Sequence, residues 1–339
     1  MIVSVFAYSR QGCETANRLE SLLGGEEVRK FTLPKYLCPG FYPMEKPGKD
    51  FYGRLFSASQ ALIFVSSCGI AVRMIAPFVK DKKTDPAVLC VDELGNFVIS
   101  LLSGHIGGAN ALTERLAKGL EAVPVVTTAT DIHGKFSVDA WAKENGFSIS
   151  SMKAAKDVSA RILTDSVPLC SRFPIKGDLP NGTLAGEEGD LGILLSFREE
   201  KPFVETLRLT PKVLHLGLGC RRDTPFEKIK LAVEQVFEEN QLDFGAVICA
   251  ASIDLKKDEP GLLAFCEEKK LPVSFYTAQE LNDVPGEFTP SKFVAGITGV
   301  DNVCERAAMV GADRIIVKKT ARDGVTVAVA EEIREVSFG

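Results

Sequence analysis

Short apolar runs alternate with amphipathic stretches along most of the chain, and the alternation predicts strands and helices in turn. IVSVFAY, residues 2–8, reads as a buried first strand. ETANRLESLL, 14–23, follows with helical spacing and runs into Gly24-Gly25, a stop signal. Residues 34–50 are rich in Pro and Gly and read as a loop. ALIFVSS, 61–67, is a second core strand. AVLCVDELGNFVISLL, 87–102, predicts a hairpin turning at Leu94-Gly95-Asn96. A helix is expected from Gly107 to Leu120, and PVVTTAT, 124–130, as a third buried strand.

The pattern weakens between about 145 and 210, where one helix precedes short strands near VPLCSRF and LGILLSF, with polar, turn-rich sequence between them. It strengthens again at Lys212. KVLHLGLGC is a strand ending in glycines, and TPFEKIKLAVEQVFEE a helix with Thr224 and Glu227 as a capping box. Strand FGAVICAASID, helix DEPGLLAFCEEKK, strand PVSFY and helix VCERAAMVGA come next. A hairpin around Arg322-Asp323-Gly324 closes the chain. The expected class is α/β: two Rossmann-like, doubly wound domains, 1–135 and 211–339, joined by a small middle α/β module over 136–210.

Composition narrows the function classes. The 339 residues suffice for two such domains. No apolar run reaches the ~18 residues a membrane span needs. The first residues carry no basic segment of the kind that opens a secretory signal, so a cytoplasmic protein is expected. A net charge of −5 gives no reason to expect nucleic acid binding. The nine cysteines are scattered with no CxxC pair, and only three histidines occur. That predicts free thiols and no protein-bound metal.

Strand-end loops are where open α/β sheets hold ligands, and four stand out. In SSCGIAVRMIAPFVKDKKTDP, 66–86, Gly69 starts a helix that carries Arg73, and Lys80, Lys82 and Lys83 follow before Asp85. A helix N-terminus with an Arg suits a carboxylate or phosphate; the lysines also read as a solvated loop, and Arg73 as half of a buried ion pair. In SLLSGHIGGAN, 100–110, Ser103 can cap the helix, while Gly104, Gly107 and Gly108 let a ligand approach the backbone. His105 is the titratable group at its centre, either a proton-transfer group or a histidine bonded to a turn. In TTATDIHG, 127–134, Thr128 and Asp131 follow a strand; the Asp could orient a histidine or cap the helix SVDAWAKE. In GLGCRRDTP, 217–225, glycines Gly217 and Gly219 leave room and Arg221-Arg222 stand before a helix, again suited to an anion. No histidine follows Cys220 nearby, and it reads as a buried thiol. No P-loop, dinucleotide fingerprint or GxSxG elbow is present. Glycine-opened, Arg-bearing loops on two α/β domains suit a large polyanionic small molecule.

GIAVRMIAPFVKDKKTDPAVLCVDELGNFVISLLSGHIGGANALTERLA followed by PVVTTATD resembles the N-terminal part of the cobalt-precorrin-5A hydrolase (CbiG) family of anaerobic cobalamin biosynthesis. GLGCRRDTPFEKI, ASIDLKKDEPGLLAF and TGVDNVCERAAMV resemble that family's C-terminal domain, which also occurs alone in the aerobic pathway. The resemblance implies a cobalt-bound, ring-contracted tetrapyrrole substrate with many carboxylates and a δ-lactone. Water opens the lactone, acetaldehyde leaves, and cobalt-precorrin-5B remains. It implies no resident cofactor, because the cobalt arrives inside the substrate. It leaves room for a homo-oligomer and for transient contacts with neighbouring pathway enzymes. Within that reading His105 is expected to be the base, oriented by Asp131 or Asp85, with the Gly107 and Gly108 amides holding the oxyanion. Gly69, Arg73, Lys83, Ser103, Gly104, Asn110, Thr128, Gly219, Arg221 and Arg222 complete the expected substrate contacts. A carrier that binds a tetrapyrrole intermediate without transforming it is the alternative.

Overall fold

The computed structural model describes the chain except residues 45–47, 82–83, 106, 291 and 339, and except the side chains at 49, 130, 131 and 292–294. Contacts divide it into two units, Met1–Trp141 and Ala142–Gly339. Among the described residues no helix is long and apolar enough to cross a membrane.

The first unit is built on β1 (Ile2–Ala7), β2 (Glu27–Thr32), β3 (Phe41–Pro43), β4 (Ala61–Val65), β5 (Ala87–Val91), β6 (Phe97–Leu102) and β7 (Val123–Val125), ordered β3-β2-β1-β4-β5-β6-β7. β1 to β5 are parallel. β6 then runs antiparallel to β5, and β7 parallel to β6. Alternation along β1 feeds two cores. Val3, Val5 and Ala7 pack with α1 (Arg10–Leu22) and α4 (Ala109–Leu120). Phe6 packs on the other face with α2 (Lys49–Ala58) and α3 (Cys68–Ile75). Its ring centroid lies 5.5 Å from that of Phe31 and 4.8 Å from that of Phe64, a stack that fixes the strands beneath α2. α5 (Ala129–Ile132) and α6 (Val138–Glu144) follow β7.

Two elements of this unit lie outside the expected pattern. β2 reads EVRKFT, too charged to be read as a core strand, yet Lys30 is buried there with its ammonium on Glu20 and Asn17. α2 was hidden behind the Pro/Gly-rich segment. The expected buried strand 124–130 is a correction: only Val123–Val125 is extended, and as the sheet's outer strand it is largely exposed.

The second unit holds two five-stranded sheets and a two-stranded one. β8 (Phe147–Ile149), β9 (Val167–Ser171), β11 (Thr183–Ala185), β12 (Leu191–Leu195) and β13 (Glu205–Pro211) form the first, ordered β11-β9-β12-β13-β8, with α7 (Met152–Ile162) packed on it. β14 (Leu214–Cys220), β15 (Val247–Ile253), β16 (Val273–Tyr276), β17 (Arg314–Arg322) and β18 (Val325–Glu331) form the second, ordered β16-β15-β14-β18-β17. β10 (Ile175–Lys176) and β19 (Val336–Ser337) pair separately and fasten the C-terminal tail to the middle region. Helices α8 (Phe226–Glu239), α9 (Pro260–Glu268), α10 (Ala278–Asn282), α11 (Lys292–Thr298) and α12 (Val303–Met309) belong to the C-terminal region. The closing hairpin turns at Asp323 and Gly324 with φ of 43° and 86°, the double positive φ of a two-residue hairpin. The expected capping box at Thr224 is absent: Pro225 is the N-cap of α8, and the Thr224 hydroxyl donates to the Arg221 carbonyl.

Two contacts hold α12 to its sheet. A Cβ on Gly217 would overlap the Cys304 carbonyl and the Ala308 methyl, so this glycine exists for helix packing and does not open a ligand space. Glu305, 1% exposed, accepts from the Thr289 amide at 2.8 Å, the Thr289 hydroxyl at 2.8 Å and the Lys319 amide at 2.6 Å. Burial pushes its carboxyl up, but these donors outweigh burial and hold it below the ordinary glutamate value.

Gly217→Ala is therefore expected to destabilise by ~1–3 kcal/mol or more through overpacking. Gly69→Ala, whose added methyl meets nothing within 4 Å on a helix, is expected to be neutral or stabilising by up to ~1 kcal/mol. Urea unfolding of the two variants checks this pair. A depressed carboxyl contributes stability above its unfolded pKa and loses it as pH falls through the folded value. Glu305→Gln should thus cost ~1–3 kcal/mol at pH 7, with the gap to wild type shrinking at pH 3.

Candidate active site

β6 ends at Leu102, and the chain turns at once through Ser103, whose φ is +59°. Three backbone bonds close the turn: Gly108 N–H to the His105 carbonyl at 2.9 Å, Ala109 to Ser103 at 3.1 Å and Asn110 to Gly104 at 3.0 Å. A Cβ at Gly104 would stand 2.6 Å from Asn110 Oδ1, and one at Gly107 would overlap Ser103. Gly108 sits at φ +84° as the N-cap of α4. The glycines were expected to admit a ligand. The first two instead let the loop pack against itself, and the third supplies a left-handed cap. Ser103 does not cap α4; its hydroxyl donates to the Asp85 carbonyl at 3.0 Å.

Buried Asn110, on α4, ties β6 to the segment that follows β7. It accepts from Ser100 Oγ at 2.7 Å and donates to Thr128 Oγ1 at 3.0 Å. His105 then meets a carboxylate. Its Nδ1 lies 3.3 Å from Asp139 Oδ1, with the two side chains 18% and 8% exposed. Asp139 is in the first turn of α6, and its Oδ1 also accepts from the Ala140 amide at 3.0 Å and Ser137 Oγ at 3.3 Å. Phe136 and Trp141, which flank it in sequence, meet edge to face with ring centroids 5.9 Å apart. The carboxylate found beside His105 is therefore Asp139 and not Asp85.

Asp85 is spent elsewhere, accepting from the Lys80 and Asp81 amides at 2.7 and 3.1 Å as the brace of its own loop. Asp131 falls within α5, and its side chain lies outside the described residues, as does Lys83. The Gly108 amide is committed to His105, which removes it as an oxyanion donor. The Gly107 amide has no partner among the described residues.

Strand direction sorts the remaining residues. Since β6 and β7 run against β1–β5, their carboxyl ends lie at the edge where β5 begins. Asp85, Ser103, His105, Thr128 and Asp139 share that edge. Gly69 follows the carboxyl end of β4 and sits at the other edge, away from His105. Arg73 is exposed in the last turn of α3, without an ion pair among the described residues, which removes the buried-pair reading.

In the second unit the loop 221–225 follows β14. A Cβ on Gly219 would meet Thr326 Oγ1 at 2.5 Å, so that position is filled by β18 and leaves no ligand space. Arg221 and Arg222 are exposed and unpaired among the described residues, and the stem of Arg221 lies over Gly324. Burial raises the Cys220 thiol, with nearby Lys256 opposing and Glu259 adding to the rise, as suits an inert thiol. Sequence reasoning gave no sign of a cavity of about 400 Å³ lined by Arg172, Arg198, Glu200, Arg314, Glu331 and Arg334. Arg172 is already paired with Glu187 and Glu200, and Arg314 with Glu331. Among the described residues no group of three or more His, Cys, Asp or Glu is gathered to hold a metal ion.

Comparison with known proteins places this geometry. The family described as Cobalamin synthesis G N-terminal matches residues 50–131, and that described as Cobalamin synthesis G C-terminus matches 214–330. The cobalt-precorrin-5A hydrolase of Salmonella typhimurium is 35% identical over 96% of this chain and 96% of its own. That of Priestia megaterium is 36% identical over 81% of this chain and 79% of its own. Protein CobE of a Sinorhizobium species is 36% identical over 34% of this chain and 79% of its own. The loop carrying His105 falls inside the N-terminal match and the 221–225 loop inside the C-terminal one. With such identity running nearly end to end, the chain belongs to the cobalt-precorrin-5A hydrolase family.

Proposed function

We propose that this protein is a cytoplasmic cobalt-precorrin-5A hydrolase. It opens the δ-lactone of cobalt-precorrin-5A and releases acetaldehyde, giving cobalt-precorrin-5B in cobalamin biosynthesis. The observation that carries this is the near-complete span of the Salmonella typhimurium relative, which includes the loops of both units. The substrate is a small-molecule polycarboxylate that brings its own cobalt. Arg73, Arg221 and Arg222, exposed and unpaired among the described residues, are suited to its carboxylates.

His105 is the base. Asp139 accepts from Nδ1–H, which fixes the tautomer and makes Nε2 the basic nitrogen. Nε2 takes a proton from water while the hydroxide oxygen bonds to the lactone carbonyl carbon. The Gly107 amide is the donor available in this loop for the oxyanion. Collapse breaks the ring C–O bond and frees an alkoxide, which takes up the proton. Loss of that proton again lets a C=O form as the adjacent C–C bond breaks. Acetaldehyde departs and the electron pair stays with the macrocycle, which is then protonated.

Anaerobic incubation with cobalt-precorrin-5A, trapping acetaldehyde, tests these roles. Wild type is expected to release it, and His105→Ala at least about a hundredfold more slowly. Asp139→Asn is expected to lower kcat roughly tenfold or more with little change in KM, because an amide can donate to Nδ1 and favour the wrong tautomer. Equal release by wild type and His105→Ala would make the histidine structural. No release by wild type would put the carrier reading first.

A further inference from the structure

The strand pairing of the second unit builds a second constellation at the end of its sheet opposite the 221–225 loop. β14 and β15 run parallel with His215 level with Cys249. β18 returns antiparallel on the other side of β14, and Glu332 follows its last residue, its amide bonded to the Val213 carbonyl at 2.8 Å. His215 Nε2 is 2.8 Å from Glu332 Oε1, and His215 Nδ1 is 3.6 Å from Cys249 Sγ. A carboxylate only accepts, so the proton sits on Nε2 and the lone pair of Nδ1 faces the sulfur. The His215 side chain is 8% exposed, whereas Cys249 is half-buried.

The other thiols differ. Cys13, Cys90, Cys170, Cys266 and Cys304 are buried. Burial pushes Cys90 up to about 12 and Cys170, Cys266 and Cys304 to about 11. Cys220 is also raised by burial. Cys38 and Cys68 are half-buried like Cys249, but among the described residues no histidine bonds them. His215 is itself drawn towards its charged form, first by the bond to Cys249 and then, against the cost of burial, by Glu332. The five steps along β14 from His215 to Cys220 span roughly 17 Å, so this cluster is separate from Arg221 and Arg222.

We propose that Cys249 is a nucleophilic thiol that takes small carbon electrophiles, with His215 accepting its proton and Glu332 positioning His215. In the reaction the S–H proton passes to Nδ1 and a sulfur lone pair bonds to the electrophilic carbon. The leaving group departs with its electron pair, and the imidazolium returns its proton to solvent. None of these residues takes part in the lactone chemistry assigned to His105.

Substoichiometric iodoacetamide on the full-length protein, with peptide mass spectrometry of all nine cysteines, tests this. Cys249 is expected to be carbamidomethylated ahead of Cys38 and Cys68, with iodide leaving. His215→Asn and Glu332→Gln should each slow Cys249 about tenfold or more, because the group that takes its proton is removed or no longer held in place, while Cys38 and Cys68 keep their rates. A general loss of structure would move all three together, so the ratio of rates is the readout. Should His215→Asn fail to fold, Glu332→Gln decides, since that side chain is 42% exposed. Labelling of Cys249 no faster than Cys38 and Cys68, or a ratio unmoved by Glu332→Gln, overturns the proposal.

Discussion

The reversal of strand direction at β6 governs the candidate site. Val88 pairs with Leu102 and Val91 with Val98, so the end of β6 comes back beside the start of β5. That antiparallel ladder, with the parallel one from β6 to β7, brings three loops together at one sheet edge. The cross-link of Ser103 to Asp85 follows from it, while those of Asn110 to Thr128 and His105 to Asp139 follow from β7 running parallel to β6. Had β6 continued parallel, Ser103 would stand at the edge of Gly69, away from Asp85; Thr128 and Asp139 share the edge of His105 because β7 runs parallel to β6. The usual ligand edge of an open α/β sheet, beyond the carboxyl ends of its parallel strands, is therefore not where this constellation sits.

Much of the fold was legible because burial imposes period on sequence. β1, β4, β5 and β6, α1, α4 and α8 follow apolar runs and helical spacing that one core face demands. β2 was not legible, because its buried lysine is tolerated through partners on α1 that lie 10 and 13 residues away. β7 was over-read, because an edge strand can be apolar without being buried. The 103–110 loop was legible as a special place, since three glycines around a histidine are costly in disorder and must have a use. What the glycines do was not legible. Gly104 and Gly107 answer to Asn110 and Ser103, and Gly217 to α12, and each is a tertiary contact with no local signature.

The carboxylate partner shows the same boundary. An Asp in the first turn of α6 is what a helix N-terminus ordinarily carries, so Asp139 has no signal of its own in the sequence. Only the fold sets it 3.3 Å from His105. Cys249 and His215 are likewise 34 residues apart in sequence and neighbours across one ladder. Residue type, spacing and composition identify which groups are worth watching. Pairing between them is fixed by strand direction and register.

One measurement bears most directly on whether the β6 edge is the seat of the chemistry: an anaerobic crystal structure of the His105→Ala variant with cobalt-precorrin-5A bound. We expect the lactone ring at the 103–110 loop, its carbonyl oxygen within hydrogen-bond reach of the Gly107 amide, with the substrate carboxylates on arginine side chains. A lactone bound away from that loop, with the space beside Asp139 left to solvent, would contradict the assignment.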